Sequence, residues 1–169
     1  MGDCERLHDG LLAEPVNTLS SLAYVAAGVY VFRRHDRLQG AALVALGVGS
    51  VAYHAVGGSV ARVLHDASIV AVAGAVAFAA PRIWRGTRSR PTLAVGAVAL
   101  FGLALPLQIF GRTGGPLCAP DSLFQAHAGW HVLTAAALAA TCVLAASWRR
   151  RDRGARRDRP PHARAATRW

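Results

Sequence analysis

Five apolar runs, at about 11–32, 38–57, 60–83, 91–111 and 122–148, dominate this chain, each near the roughly 20 residues that a helix needs to cross a bilayer. Runs of that length leave few folding choices. In lipid every backbone N–H and C=O must be satisfied within the protein, which a helix does by itself and a lone strand does not. The expected fold is all-α: a polytopic transmembrane helix bundle of five spans over residues 1–148, followed by a basic tail at 149–169. Composition excludes the main alternative, because 169 residues that are 53% hydrophobic, with a mean hydropathy of +0.31, cannot be divided into several soluble domains without exposing large apolar surfaces. The first run is expected to stay in the mature protein. Glu14, Pro15 and Asn17 interrupt its front, no basic stretch precedes it, and no cleavage-like site follows before Arg33.

Arginine placement sets the expected orientation, since basic residues concentrate in short cytoplasmic loops. Arg33, Arg34 and Arg37 lie between the first two spans, Arg82, Arg85, Arg88 and Arg90 between the third and fourth, and more follow Trp148. The opposite side carries the uncharged turn Gly57-Gly58-Ser59, a loop at 112–121 with only Arg112 and Asp121, and an acidic N-terminal segment with Asp3, Glu5, Asp9 and Glu14. The N-terminus is thus expected outside and the C-terminus in the cytoplasm. This placement accounts for the net charge of +10 without nucleic acid, because the tail lacks aromatic interleaving apart from Trp169. Anionic lipid headgroups are the expected neighbours of the arginines. With Pro160-Pro161 and little apolar content, the tail is expected to lack packed structure.

Polar residues inside the spans acquire depths from this threading. Ser50 and His54 sit one helical turn apart near the outer end of the second span, and Asp66 lies a turn or two below the outer end of the third. His127 and His131, at i and i+4, share a face of the fifth span at a similar depth. Two histidines so spaced, with a third from another helix, form a common three-ligand zinc set that leaves a position open for water, and a nearby carboxylate can then take that water's proton. Each residue also has a plainer reading: an HxxxH pair as interfacial packing, Ser50 as a helix contact, Asp66 as the partner of Arg62 one turn earlier. Their meeting at one depth favours a site, because ionisable groups inside a bilayer are rare without a purpose. Cys4 and Cys118 both fall on the outward side, whereas Cys142 lies deep in the last span. A bridge pinning the N-terminal segment to the outer loop and a pair of free thiols both remain open.

The strings Cys4-Glu5, Glu14-Pro15-Val16-Asn17-Thr18-Leu19-Ser20, Ser50-x-x-x-His54, Asp66 and His127-Ala128-Gly129-Trp130-His131, taken in order, resemble the alkaline ceramidases and their bacterial relatives. That family belongs to a superfamily of membrane hydrolases that includes the adiponectin-receptor and haemolysin III-like proteins. The resemblance runs from Cys4 to about Leu133. It implies a zinc-dependent amidohydrolase cleaving the N-acyl bond of ceramide-like lipids to fatty acid and sphingoid base. It further implies zinc ligands at His54, His127 and His131, an oxyanion-stabilising Ser50 and a water-activating Asp66, with His65 as a rival for the aspartate's place. The family's bridge between N-terminal segment and outer loop would correspond to Cys4 and Cys118. Its animal members also carry calcium near the N-terminus, for which Asp3, Glu5 and Glu14 are the residues available here.

Family members have seven spans, so two helices between the third and the last are missing from this chain. A homodimer is one way to replace them. The short chain without an organellar signal points to a prokaryotic cytoplasmic membrane. Two alternatives of other classes stand beside the hydrolase: a non-catalytic lipid-binding or receptor-like relative, and a haem carrier using His54 and His131 as axial ligands.

Overall fold

The structure, a computed structural model, describes residues 3–157, the side chains of 149–157 excepted. Its regular elements are α1 (Pro15–Arg34), α2 (Arg37–Val56), α3 (Gly58–Ser89), α4 (Pro91–Phe110) and α5 (Ala126–Arg157). Among the described residues no strand forms beyond a single bridge pairing Asp3 with Arg112. All five helices are long and apolar enough to cross a membrane.

Local chemistry explains the boundaries. Proline opens α1 and α4, at the first turn, where its missing N–H would have had no helical partner. The two oxygens of Glu5 accept from the N–H groups of Val16 and Asn17 at 2.7 and 2.8 Å and so cap α1 from a distance in sequence. Asp36 caps α2 directly by accepting from Leu38 and Gln39. The joint between α2 and α3 turns on Gly57 and Gly58, with φ of 70° and 85°, a region closed to most side chains.

Two helices outrun their expected ends. Helix α3 continues past 83 to Ser89 because its arginines find aromatic faces: Arg82 lies over Phe78, Arg85 over Trp148 and Arg88 over Trp84. Helix α5 continues past Trp148 to Arg157, so the first part of the tail is helical rather than unstructured. Extending a formed helix through this arginine-rich stretch, even across Gly154, needs no new nucleus, which the compositional argument for an unpacked tail left out. Residues 158–169, with Pro160-Pro161 and Trp169, lie outside the described residues.

Packing is uneven. Helices α1 and α2 approach so closely that a Cβ on Gly28 would stand 2.6 Å from the Val44 nitrogen, and one on Gly47 would stand 2.7 Å from that of Val25. Helix α5 touches α1, α3 and α4, whereas α3 and α4, though consecutive, barely meet. Tyr24, Val31, Leu43, Leu46, Val72, Ala135 and Cys142 form the core where α1, α2, α3 and α5 converge. Helix α4 is the most apolar, yet only 11% of its spanning stretch is buried, a surface that water would not tolerate and that acyl chains would cover.

Candidate metal centre

Helix α2 ends where α5 begins, and three imidazoles meet there. His54 comes from the last turn of α2, while His127 and His131 come from the first turns of α5. All three are buried. Their ring centroids are separated by 5.2 Å (His54 to His127), 5.0 Å (His54 to His131) and 4.5 Å (His127 to His131). One ring nitrogen from each can be chosen so that all lie within 4.8 Å of one another, a span that a single metal ion can bridge.

The hydrogen bonding around the rings fits such an ion. His54 Nδ1 lies 2.6 Å from Glu14 Oε2, and a carboxylate can only accept, so the proton sits on Nδ1 and leaves Nε2 with a bare lone pair. That Nε2 is buried and has no hydrogen-bond partner among the described residues. An orphaned acceptor in such a place is expensive unless a cation meets it. His131 follows the same logic. Its Nδ1 lies 2.9 Å from Ser20 Oγ, which also reaches the Asn17 carbonyl at 3.0 Å; with the Ser20 proton on that carbonyl, the imidazole donates from Nδ1 and its Nε2 carries the lone pair. Ligating histidines in metal sites are held in this way by their second nitrogen. For His127 the nearest acceptor of its Nδ1 is Asp3 Oδ1, at 3.4 Å.

Glu14 also accepts from Asn17 Nδ2 at 3.0 Å. Burial alone would push its carboxyl up, but the bonds from His54 and Asn17 outweigh that and hold it below the ordinary carboxylate value. Glu5 accepts from two N–H groups at the head of α1, and Asp3 and Glu14 face the histidines. Of the three acidic residues considered for a cation, Asp3 and Glu14 fall with His54 in one compact group among the described residues.

Ser50 is wholly buried, with its Oγ 2.8 Å from Ser21 Oγ. Because Ser21 gives its proton to the Asn17 carbonyl at 2.7 Å, Ser50 is the donor of that pair. The relay ends 3.4 Å from His131 Nδ1 at Ser21. Ser50 thus reaches the cluster through α1, and its hydroxyl proton already has an acceptor.

Asp66 stands apart from the imidazole cluster. Its carboxylate is 67% exposed and lies 3.4 Å from His65 Nδ1, at the rim of a cavity of about 510 Å³ that it shares with Tyr53, Arg62, Gln108, Arg112 and His127. The plainer reading of Asp66 as the partner of Arg62 finds no ion pair between them among the described residues; Arg62 lies over the Tyr53 ring, 6.0 Å from its centre. His65 stacks on Tyr53 at 5.1 Å and stands 6.4 Å from the His54 ring, so both residues proposed for the water-activating place border this opening.

Sequence reasoning missed Ser21 and the part Ser20 plays, together with Tyr24, whose ring meets His131 edge-on at 5.6 Å and whose hydroxyl donates to Thr134. A signal was available: Asn17, Ser20, Ser21 and Tyr24 recur at helical spacing as a polar stripe in an otherwise apolar α1. The arrangement defines a bundle of helices long and apolar enough to span a membrane, with a buried three-histidine group able to hold a metal ion. No family model, no curated protein and no solved structure matches the chain.

Proposed function

We propose that this protein is a zinc-dependent amidohydrolase of the membrane, cleaving the N-acyl bond of ceramide-like lipids to a fatty acid and a sphingoid base. The observation that carries the reading is the group of three buried imidazoles whose ligand atoms fall within 4.8 Å, two of them tied back through Nδ1. The substrate class rests on the resemblance to the alkaline ceramidases. Zinc held by His54, His127 and His131 supplies Lewis-acid polarisation of an amide carbonyl and a water of lowered pKa.

The chain's own residues supply the rest. Asp66, at the rim of the cavity that reaches His127, accepts the water's proton at a carboxylate oxygen and passes it to the departing amine nitrogen. Ser50 donates to the developing oxyanion after its hydroxyl turns from Ser21, with Ser21 remaining bonded to the Asn17 carbonyl. The loose contact between α3 and α4 gives an amide lipid a lateral way in from the bilayer. The site faces outward from a prokaryotic cytoplasmic membrane, the arginines lie among anionic headgroups, and a second copy in a homodimer covers surface left by the two absent helices.

A non-catalytic lipid-binding role is the second reading, favoured by the exposure of Asp66 and by the committed proton of Ser50. A haem between His54 and His131 is disfavoured, because His127, within 5.2 Å of both rings, stands where the macrocycle would extend. Metal analysis of the purified protein, combined with incubation on N-acyl lipids and detection of free fatty acid, separates the readings. Stoichiometric zinc with fatty acid release supports the hydrolase, zinc without release supports the binding protein, and no zinc defeats both.

A further inference from the structure

The segment that carries Asp3 is stitched to the loop between α4 and α5. Cys4 and Cys118 form a disulfide, Asp3 pairs its backbone with Arg112, and Thr113 Oγ1 donates to the Asp3 carbonyl at 3.2 Å. Further along, the Arg6 N–H donates to the Pro120 carbonyl at 3.0 Å, and the Arg6 guanidinium meets Asp121 at 2.8 Å. This stitching brings the Asp3 carboxylate over two of the three imidazoles, with Oδ1 3.4 Å from His127 Nδ1 and Oδ2 3.8 Å from His54 Nδ1. His54 has Glu14 and His131 has Ser20, so His127 is the ring whose Nδ1 has no other side-chain partner among the described residues.

We infer that Asp3 is the positioning residue for His127, and that the Cys4–Cys118 disulfide holds it there, so that the metal centre is complete only while that bridge is intact. The inference rests on the metal-centre reading of the three histidines. Its physical basis is the part an anchor on the second nitrogen plays in a ligating imidazole: it fixes the tautomer, orients the ring and raises its basicity. The separation from His127 exceeds hydrogen-bond length by a few tenths of an ångström, so a small side-chain adjustment makes the bond. The disulfide is the strongest tie on this segment. An irregular segment without such a tie is free to move off, and the exposed Arg6–Asp121 pair contributes little against that.

Zinc affinity measured against a competing chelator on the full-length protein in lipid nanodiscs tests this. Asp3→Ala is expected to weaken zinc binding roughly 10–100-fold, the usual effect of removing such an anchor, and Asp3→Asn, which keeps an acceptor oxygen, is expected to recover part of that. The Cys4→Ser/Cys118→Ser variant is expected to reproduce the loss, and adding Asp3→Ala to it should weaken binding no further. A merely structural disulfide would instead make the two losses multiply, and that result overturns the inference. So does an Asp3→Ala protein with wild-type affinity, which decides the matter even if the cysteine variant fails to fold. His127→Ala serves as the reference: if it too keeps zinc, the metal-centre reading itself falls, whereas its loss beside an unaffected Asp3→Ala removes Asp3 alone.

Discussion

The histidine cluster has two walls built on opposite plans. On the α1 side, Glu14, Ser20, Ser21 and Ser50 are linked by short hydrogen bonds that end on the Asn17 side chain and carbonyl. On the α3 and α4 side, Asp66, Arg62 and Arg112 stand exposed around a cavity, with no ion pair joining them among the described residues. The contrast separates two tasks. Holding a metal needs rings that cannot turn, and the closed wall ties two of them back, His54 Nδ1 to Glu14 and His131 Nδ1 to Ser20. On the proposed function, proton transfer to a substrate needs a carboxylate the substrate can reach, and Asp66 in the open wall is the exposed one.

The largest effect should come from the rings shared by both walls. His131→Ala is expected to abolish stoichiometric zinc and with it fatty acid release, which elemental analysis and a lipid hydrolysis assay would register together. Retention of bound zinc would mean that the cluster is packing and that the division between walls has no chemical meaning.

Next in size is the open wall. Asp66→Asn is expected to keep zinc and lower hydrolysis about 10²–10⁴-fold, the range for removing a general acid–base group. If it kept full activity while His65→Gln lost it, the stacked imidazole beside Asp66 would take over the role, since both border the same cavity. On the closed wall Glu14→Ala should act the other way, weakening zinc binding by roughly 10–100-fold and lowering stability by about 1–3 kcal/mol, because it strands the buried Nδ1 of His54. Thermal melts with and without zinc would read both effects.

The same division governs what was legible in the sequence. Span length and apolar content located all five helices, and helical spacing put His127 beside His131 and aligned them in depth with His54. Depth, however, says nothing about distance across the bundle. Threading assigns Asp66 to the layer of the histidines, but it belongs to α3, whose rotation leaves its carboxylate at the rim while His65 turns inward to Tyr53. The Nδ1 partners escaped for a related reason: Glu14 and Ser20 meet rings that lie 40 and 111 residues away on α2 and α5, and the packing of α1 against both helices brings them together. Glu5, one of three residues the family resemblance offers for a cation, shows a local role the sequence did not announce, accepting from two N–H groups of α1.

The smallest expected effect tests how far the closed wall extends below the metal centre. Tyr24 donates to Thr134 Oγ1, whose own proton goes to the Trp130 carbonyl at 2.6 Å, and the tyrosine ring meets His131 edge-on. Tyr24→Phe keeps the ring and removes the donor. Thr134 retains its bond to the helix backbone, so the loss should be that of one buried hydrogen bond, about 1 kcal/mol in a denaturant or thermal melt, with zinc affinity close to wild type. A fall in zinc affinity comparable to that of Glu14→Ala would place Tyr24 among the groups that orient His131. The ordered wall would then run a full helical turn deeper than the serines, and the open side would be the exception in an otherwise rigid cup around the metal.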